Sequence, residues 1–293
     1  MRVTDKSIFD AAAHSAGTQR ERLQKAVDEN STGLRVEHPW DDPGVTAPLI
    51  SHRLTATRQA ALASTAERAS DELTAVDSSL GSLTDTLTRA RELAIQMSND
   101  SYSAVDRSIT SEEVKTLFNE AIGLLNARVG NRYLFAGFKD DQPAFDATGA
   151  YQGDSGVRKV EAFPGIFQDV SLAGNDIATG TGGGPNILAT LTALDTALRG
   201  NDVAGIQATL SHLDDGIEHL SLSRAQMGAA ANTLSVAVTN AKTNVDNEKS
   251  NISRMSEADV FESATKLALA QRGLEAALTA SARSFDLTLL NKL

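Results

Sequence analysis

The chain has 293 residues, with 27 Lys and Arg against 38 Asp and Glu, a net charge of −11 and a pI near 4.9. An acidic surface without a Lys/Arg stripe repels both a nucleic acid duplex and an anionic membrane, so neither is expected as a partner. Cysteine is absent and aromatics make up only 4%, which removes disulfide frameworks and thiolate metal sites and argues against one large spherical core.

The opening stretch Met1-Arg2-Val3-Thr4-Asp5-Lys6-Ser7-Ile8-Phe9 carries scattered charges and no apolar run, so it is not expected to be a cleaved secretory signal. A first helix is predicted around Thr4 to Asn30, ending at Gly33. Asp41-Asp42-Pro43 restarts the chain, with acidic residues ahead of a proline suited to a first helical turn. Pro48 lacks the amide that would bond back to residue 44, so the helix either begins nearer Thr46 or carries a weakened first turn. It then runs to about Asn99 on a seam that steps three and four residues: Leu62, Ala66, Ala69, Leu73, Val76, Leu80, Leu83, Leu87, Ala90, Ala94, Met97. A further helix start is read at Thr110, where Thr110 and Glu113 can form a capping box braced by Ile109 and Val114.

After Gly130 the pattern turns aromatic and glycine-punctuated. Short strands are predicted at Tyr133-Leu134-Phe135, Tyr151-Gln152-Gly153, Val157 to Glu161 and Phe167 to Val170. Tyr133 and Phe135, on one strand face, are read as core residues capping the helical bundle beneath this insert. A glycine-rich hinge from Thr179 to Pro185 follows, and helix resumes near Asn186. The second seam runs Ile206, Leu210, Leu213, Ile217, Leu220, Arg224, Met227, Ala231, Leu234, Val238, Ala241, Val245, Glu248, Ile252, Met255, with only Arg224 and Glu248 out of type. At 1.5 Å rise per residue it would be roughly 75 Å long. A last start is read at Ser256, with Asp259 as its reciprocal partner and a staple between Met255 and Val260; its stripe is Val260, Ala264, Leu267, Leu274, Leu278, Phe285, Leu289.

Two seams from opposite halves of the sequence imply a mainly α fold: a long antiparallel helical-bundle rod made from both chain ends, with a small β-rich insert in the middle. The expected division is residues 1–45 with 250–293 as terminal assembly helices, 46–139 with 186–249 as the rod, and 140–185 as an outer insert. The first and last helices carry apolar positions that a two-helix pair cannot cover. Assembly is therefore expected through Ile8, Phe9, Leu23 and Val27 of the first and Leu267, Leu274, Leu278, Phe285 and Leu289 of the last.

Sites for chemistry are sparse. Gly153-Asp154-Ser155-Gly156 resembles a serine-protease nucleophile motif, and Ala12-Ala13-His14-Ser15 faintly echoes the histidine motif, but His14 sits in a helical stretch and the strands are few; a hairpin turn is the better reading. His212 and His219 would lie about 10 Å apart along one helix, too far to share a zinc ion. Gly182-Gly183-Gly184 lacks the lysine of a phosphate loop, and Asp140-Asp141 reads as a turn. No cofactor or metal is expected.

Ser31-Thr32-Gly33-Leu34-Arg35-Val36 followed by Pro39-Trp40-Asp41-Asp42-Pro43 resembles the N-terminal signature of the flagellin superfamily. Asn131-Arg132-Tyr133-Leu134-Phe135-Ala136-Gly137, between helices and a β insert, together with the Met1-Arg2-Val3-Thr4 start and proline after Asp41-Asp42, is similar to the hook-filament junction branch of that superfamily. The likeness extends to the closing Phe285-Asp286-Leu287-Thr288-Leu289-Leu290. Trp40 departs from the small polar residue common there, and Leu34 from the frequent lysine. The resemblance implies a secreted structural protein, not an enzyme, carried unfolded through the flagellar type III export channel. It implies a homo-oligomeric ring between the first hook-associated protein and flagellin, with an export chaperone as a further partner. A flagellin, a coiled-coil scaffold and a serine hydrolase remain the alternatives.

Overall fold

The computed structural model describes Arg2–Thr181 and Gly184–Leu290; within α1 and α7 the side chains of residues 2–6, 8, 9 and 284–290 are not described. Among the described residues there are seven helices: α1 (Arg2–Thr32), α2 (Pro43–Met97), α3 (Ala104–Leu125), α4 (Gly174–Ala178), α5 (Ile187–Arg199), α6 (Val203–Ser256) and α7 (Val260–Leu290). Four short strands, β1 (Arg128–Val129), β2 (Arg132–Tyr133), β3 (Lys159–Phe163) and β4 (Ile166–Asp169), form two separate antiparallel pairs. The chain divides into two compact units, residues 59–243 and residues 1–58 with 244–293. The β region therefore falls inside the first unit, and the terminal unit reaches further into α2 and α6 than the sequence pattern indicates.

In the unit 59–243 the two seams behave as their spacing requires. Along α2 both heptad positions are buried, Ala66, Leu73, Leu80, Leu87, Ala94 and Ala69, Val76, Leu83, Ala90, Met97. Along α6 one position is buried at every seventh residue, Ile206, Leu213, Leu220, Met227, Leu234, Ala241, while Leu210, Ile217, Ala231 and Val238 at the other are partly covered. Ion pairs Glu67–Lys242, Asp77–Arg224 and Arg91–Asp214 set these helices antiparallel. Arg224, the break in the second seam, is thus accommodated by Asp77, 2.9 Å away, beside Gly81, which leaves room for the guanidinium. The Asp77 carboxylate accepts from Arg224 and raises its pKa further.

The helix α3 starts at Ser103, not at Thr110: the Ser103 hydroxyl accepts from the Asp106 amide and the Asp106 carboxylate accepts from the Ser103 amide. Thr110 lies inside the helix and donates to the Asp106 carbonyl. Helix α5 begins at Asn186, whose side chain accepts from the Ala189 amide. It stops at a turn where Asn201 takes φ 51°, a left-handed conformation that Asn tolerates. Buried Arg107 joins this turn to the end of α2. Its guanidinium donates to the carbonyls of Met97 (2.9 Å) and Asn99 (3.0 Å) and to Asn201 Oδ1 (2.5 Å).

The predicted strand Tyr133-Leu134-Phe135 is only its first residue, and Tyr151 makes a single bridge to Phe145. The cause is a knot of polar bonds that pulls the chain out of extended pairing. Asp154 accepts from the amides of Phe138 (2.8 Å) and Gly156 (2.9 Å), which hold its pKa down, and the Tyr151 hydroxyl donates to the carbonyls of Asp154 (2.6 Å) and Phe135 (3.0 Å). Gly137, at φ +73°, has Asp154 atoms where a Cβ would stand, so no other residue fits. Strands β3 and β4 turn through Pro164-Gly165, with φ +78° at Gly165 as a type II turn needs. Phe135, Phe145, Ala162, Val170 and Ile177 belong to the same apolar core as the α2 and α6 seams.

Candidate assembly surface

In the terminal unit α1 and α7 pack antiparallel: Lys266 pairs with Glu29 at 3.1 Å, Ser263 reaches Asn30 at 3.5 Å, and Gly273 lies against Gln19. Glu262 and Glu29 together raise the Lys266 pKa. Helix α7 does not start at Ser256, whose hydroxyl turns back to the Ile252 carbonyl. Asp259 caps it instead, accepting from the amides of Phe261 (2.8 Å) and Glu262 (3.1 Å). Val260 is exposed, so the expected staple with Met255 does not form.

The segment after α1 is stitched to the α6–α7 junction. Ser31 and Thr32 hydroxyls donate to the Asp28 carbonyl, and Gly33 takes φ +68° to end the helix. Arg35 and Val36 amides donate to the Ser256 carbonyl, and the Ala258 amide returns to the Gly33 carbonyl. The Arg35 guanidinium spans Asp42 (3.0 Å) and the Met255 carbonyl (2.8 Å). Asp42 is held below the ordinary carboxylate value first by that guanidinium. Asp41 is held low by the His38 amide, with the Glu37 amide also donating. Pro43 opens α2 and Pro48 lies within it; with Pro48 present, the amide that would close that turn is missing. Glu248, the second break in the α6 seam, pairs with His52 at 2.5 Å.

The second motif cluster serves the other unit. Arg132 and Arg158 both meet buried Glu72, Arg132 also faces Asp140 at 3.9 Å, and Asn131 is an exposed turn residue. Tyr133 donates its amide to the Asp140 carbonyl, while Leu134, Phe135 and Gly137 are buried. Glu72, Arg132 and Arg158 line one open groove of about 570 Å³ with Arg68 and Lys159, where the two arginines are already engaged by Glu72.

Of the residues expected to mediate assembly, Val27 and Leu278 are exposed and Leu23, Leu267 and Leu274 are half-buried. Ile8, Phe9, Phe285 and Leu289 lie outside the residues whose side chains are described. The terminal unit exposes further apolar groups that no seam pointed to: Trp40, Ile50, Leu54, Phe261 and Leu269. Phe261 is 86% exposed, although its neighbours in sequence form a regular helix start. The unit 59–243 exposes large apolar side chains as well, Phe138, Ile166, Phe167 and Leu222 among them, so what sets the terminal unit apart is that it buries so few of its own. Elsewhere, Ser155 is an exposed residue of an irregular segment, not of the expected hairpin turn, and the His219 ring meets the Asp176 carbonyl at 3.0 Å. No group of three metal-ligating side chains occurs among the described residues.

Family comparisons bear on this surface. The bacterial flagellin N-terminal helical region matches residues 7–140, and the bacterial flagellin C-terminal helical region matches residues 210–292. Flagellar hook-associated protein 3 of Salmonella typhimurium is 27% identical over 260 residues, covering 80% of this chain and 81% of its own. A flagellin of Listeria innocua is 25% identical over 241 residues, covering 82% and 80%. Among solved structures, a Vibrio parahaemolyticus protein described as a flagellar hook-associated protein superposes with a TM-score of 0.68 at 22% identity, over 74% of this chain and 100% of its own, a likeness of fold.

Proposed function

The chain belongs to the flagellin superfamily, whose N- and C-terminal helical regions it carries, and we infer that within that structural family it forms the junction between hook and filament in the extracellular flagellum. The observation that carries the reading is the terminal unit itself: α1, α7 and the ends of α2 and α6 fold together yet bury only Ala26, Val36 and Leu49 among their described apolar side chains and leave Trp40, Leu54, Phe261, Leu269 and Leu278 exposed. The similarity to hook-associated protein 3, with Asp41-Asp42-Pro43 at the elbow, supports the junction role. Copies pack as a short ring, between the first hook-associated protein on one side and flagellin on the other. Val27, Leu267, Leu274 and Leu278 contribute to that packing, as do Ile8, Phe9, Phe285 and Leu289. The protein reaches this place unfolded through the flagellar export channel, accompanied by a chaperone, without a cleaved signal and without catalysing a reaction.

The test is electron microscopy of a strain lacking the gene. Hooks without filaments, with flagellin lost to the medium, are expected. Immunogold label on a complemented strain should then fall as one short band above the hook. A filament subunit is the second reading, favoured by the flagellins of similar identity; label along the whole filament would establish it and overturn the junction role.

A further inference from the structure

The only tryptophan in the chain, Trp40, is 73% exposed. It is nevertheless held firmly. Its ring stacks on His38 with centroids 4.6 Å apart and planes at 19°. The Asp41 carboxylate clamps the amides of Glu37 (3.2 Å) and His38 (2.8 Å), and the Thr46 hydroxyl donates to the Pro39 carbonyl (2.9 Å). A rigid, water-exposed indole gains little within its own protomer, but such presentation lowers the ordering cost of binding and is the usual form of an interface anchor.

The same unit holds a matching receptor. A groove of about 410 Å³ between α1 and α7 has Ala26, Leu269 and Ala270 as its apolar wall, with Arg22, Lys25, Lys266 and one carboxylate, Glu29, around it. Leu269 is itself largely exposed. Residues 34–42 carry Arg35 against Glu37, Asp41 and Asp42; Asp41 and Asp42 pair with Lys25 and Arg35 of their own protomer, so Glu37 is the carboxylate beside the indole that the loop offers to a groove with a cationic rim. Lys25 and Lys266 already have acidic partners in their own protomer, which, among the described residues of the groove, leaves Arg22 as the cation available to an incoming indole face or to Glu37.

We propose that Trp40 of one protomer docks in the α1–α7 groove of a second copy of this chain, a head-to-tail contact that repeats around an assembly. A heterologous contact of this kind places a different surface on each side of the interface and closes into a ring when the rotation permits. The inference rests on the reading that copies of this chain pack side by side, and its test separates the two.

Because Trp40 is the sole tryptophan and the chain has no cysteine, both probes are clean. Self-association of the full-length protein, followed by sedimentation, should move Trp40 emission to shorter wavelength and shield it from acrylamide. Trp40→Ala and Arg22→Glu should each weaken association by about tenfold or more, and Trp40→Phe by less. In flagella assembled by cells, the double variant Glu37→Cys with Leu269→Cys should give a ladder of disulfide-linked oligomers that neither single variant gives. Association with unchanged Trp40 emission, or normal flagella without the ladder, overturns the proposal and leaves the junction reading standing. Emission that responds only to added flagellin assigns the groove to another protein and overturns the second-copy contact. Absence of the chain from flagella sinks the reading beneath both.

Discussion

The two compact units solve opposite problems with the same helices. Residues 59–243 bury both heptad rows of α2, one row of α6, the facing sides of α3 and α5, and Phe135 and Phe145 of the β region. This unit carries 13 Lys and Arg against 23 Asp and Glu, a net charge of −10 that accounts for nearly all of the chain's −11. Residues 1–58 with 244–293 carry 14 against 15 and bury only Ala26, Val36 and Leu49 among their described apolar side chains. Charge keeps a surface apart from its copies, and exposed apolar groups without net charge bring surfaces together. The difference lies in burial: both units expose some large apolar side chains, but only the unit 59–243 has an extensive core of its own, and we propose that the terminal unit is completed by neighbours.

The comparison breaks most readily at Phe135, which is 1% exposed beneath the β region. Phe135→Ala should destabilise the unit 59–243 by about 3–5 kcal/mol, read by denaturant melting. A loss under about 1 kcal/mol would mean that this core is not continuous. Arg107→Ala comes next: it strands the carbonyls of Met97 and Asn99 at the α2–α3 turn, and a loss of about 2–3 kcal/mol is expected in the same assay. Tyr151→Phe removes one hydroxyl that serves two carbonyls, with an expected cost of about 1 kcal/mol. Burial pushes the Tyr151 pKa up to about 12. The contribution of that hydroxyl is fully present below pH 10 and is lost as pH rises through 12, so an absorbance titration of wild type against Tyr151→Phe should differ by one group ionising near 12.

In the terminal unit the same logic inverts. Leu278 is 53% exposed, so Leu278→Asp should change monomer stability by no more than about 0.5 kcal/mol while abolishing filament attachment, because assembly would desolvate the carboxylate. A motile strain with normal filaments would count against the assembly face. The smallest effect lies at the elbow, where Asp41 and Asp42 titrate below the ordinary 3.8. Their contribution is present above that value and fades as pH falls through the lowered pKa values; carboxyl NMR titration should place both midpoints below 3.8.

Much of this division was legible in the residues. The seams at Leu73, Leu80, Leu87 and at Leu213, Leu220, Leu234 needed only their spacing; the α7 stripe, expected to mediate assembly, leaves Leu278 exposed and Leu267 half-buried. Caps were misread where two candidates competed: Ser103-x-x-Asp106 and Thr110-x-x-Glu113 look alike in sequence, and Asp106 is decided by its position at the chain reversal after Met97. Ser256 lost to Asp259 because residues 256–258 are committed to the Gly33–Val36 bridge, a pairing of residues more than 200 apart that no local pattern displays. Arg107 and Tyr151 were missed for the same reason, since their worth depends on carbonyls supplied by distant turns. Trp40 showed only as an odd residue; its exposure comes from the Asp41 clamp that turns the loop outward.

Hydrogen exchange, measured on the monomer and on flagella, tests the central claim most directly. Amides of 66–97 and 206–241 should be strongly protected in both states, while those of 10–32 and 260–283 exchange many-fold faster in the monomer and become protected only in the assembly. Equal protection of the terminal helices and the 59–243 core in the isolated monomer would contradict the account.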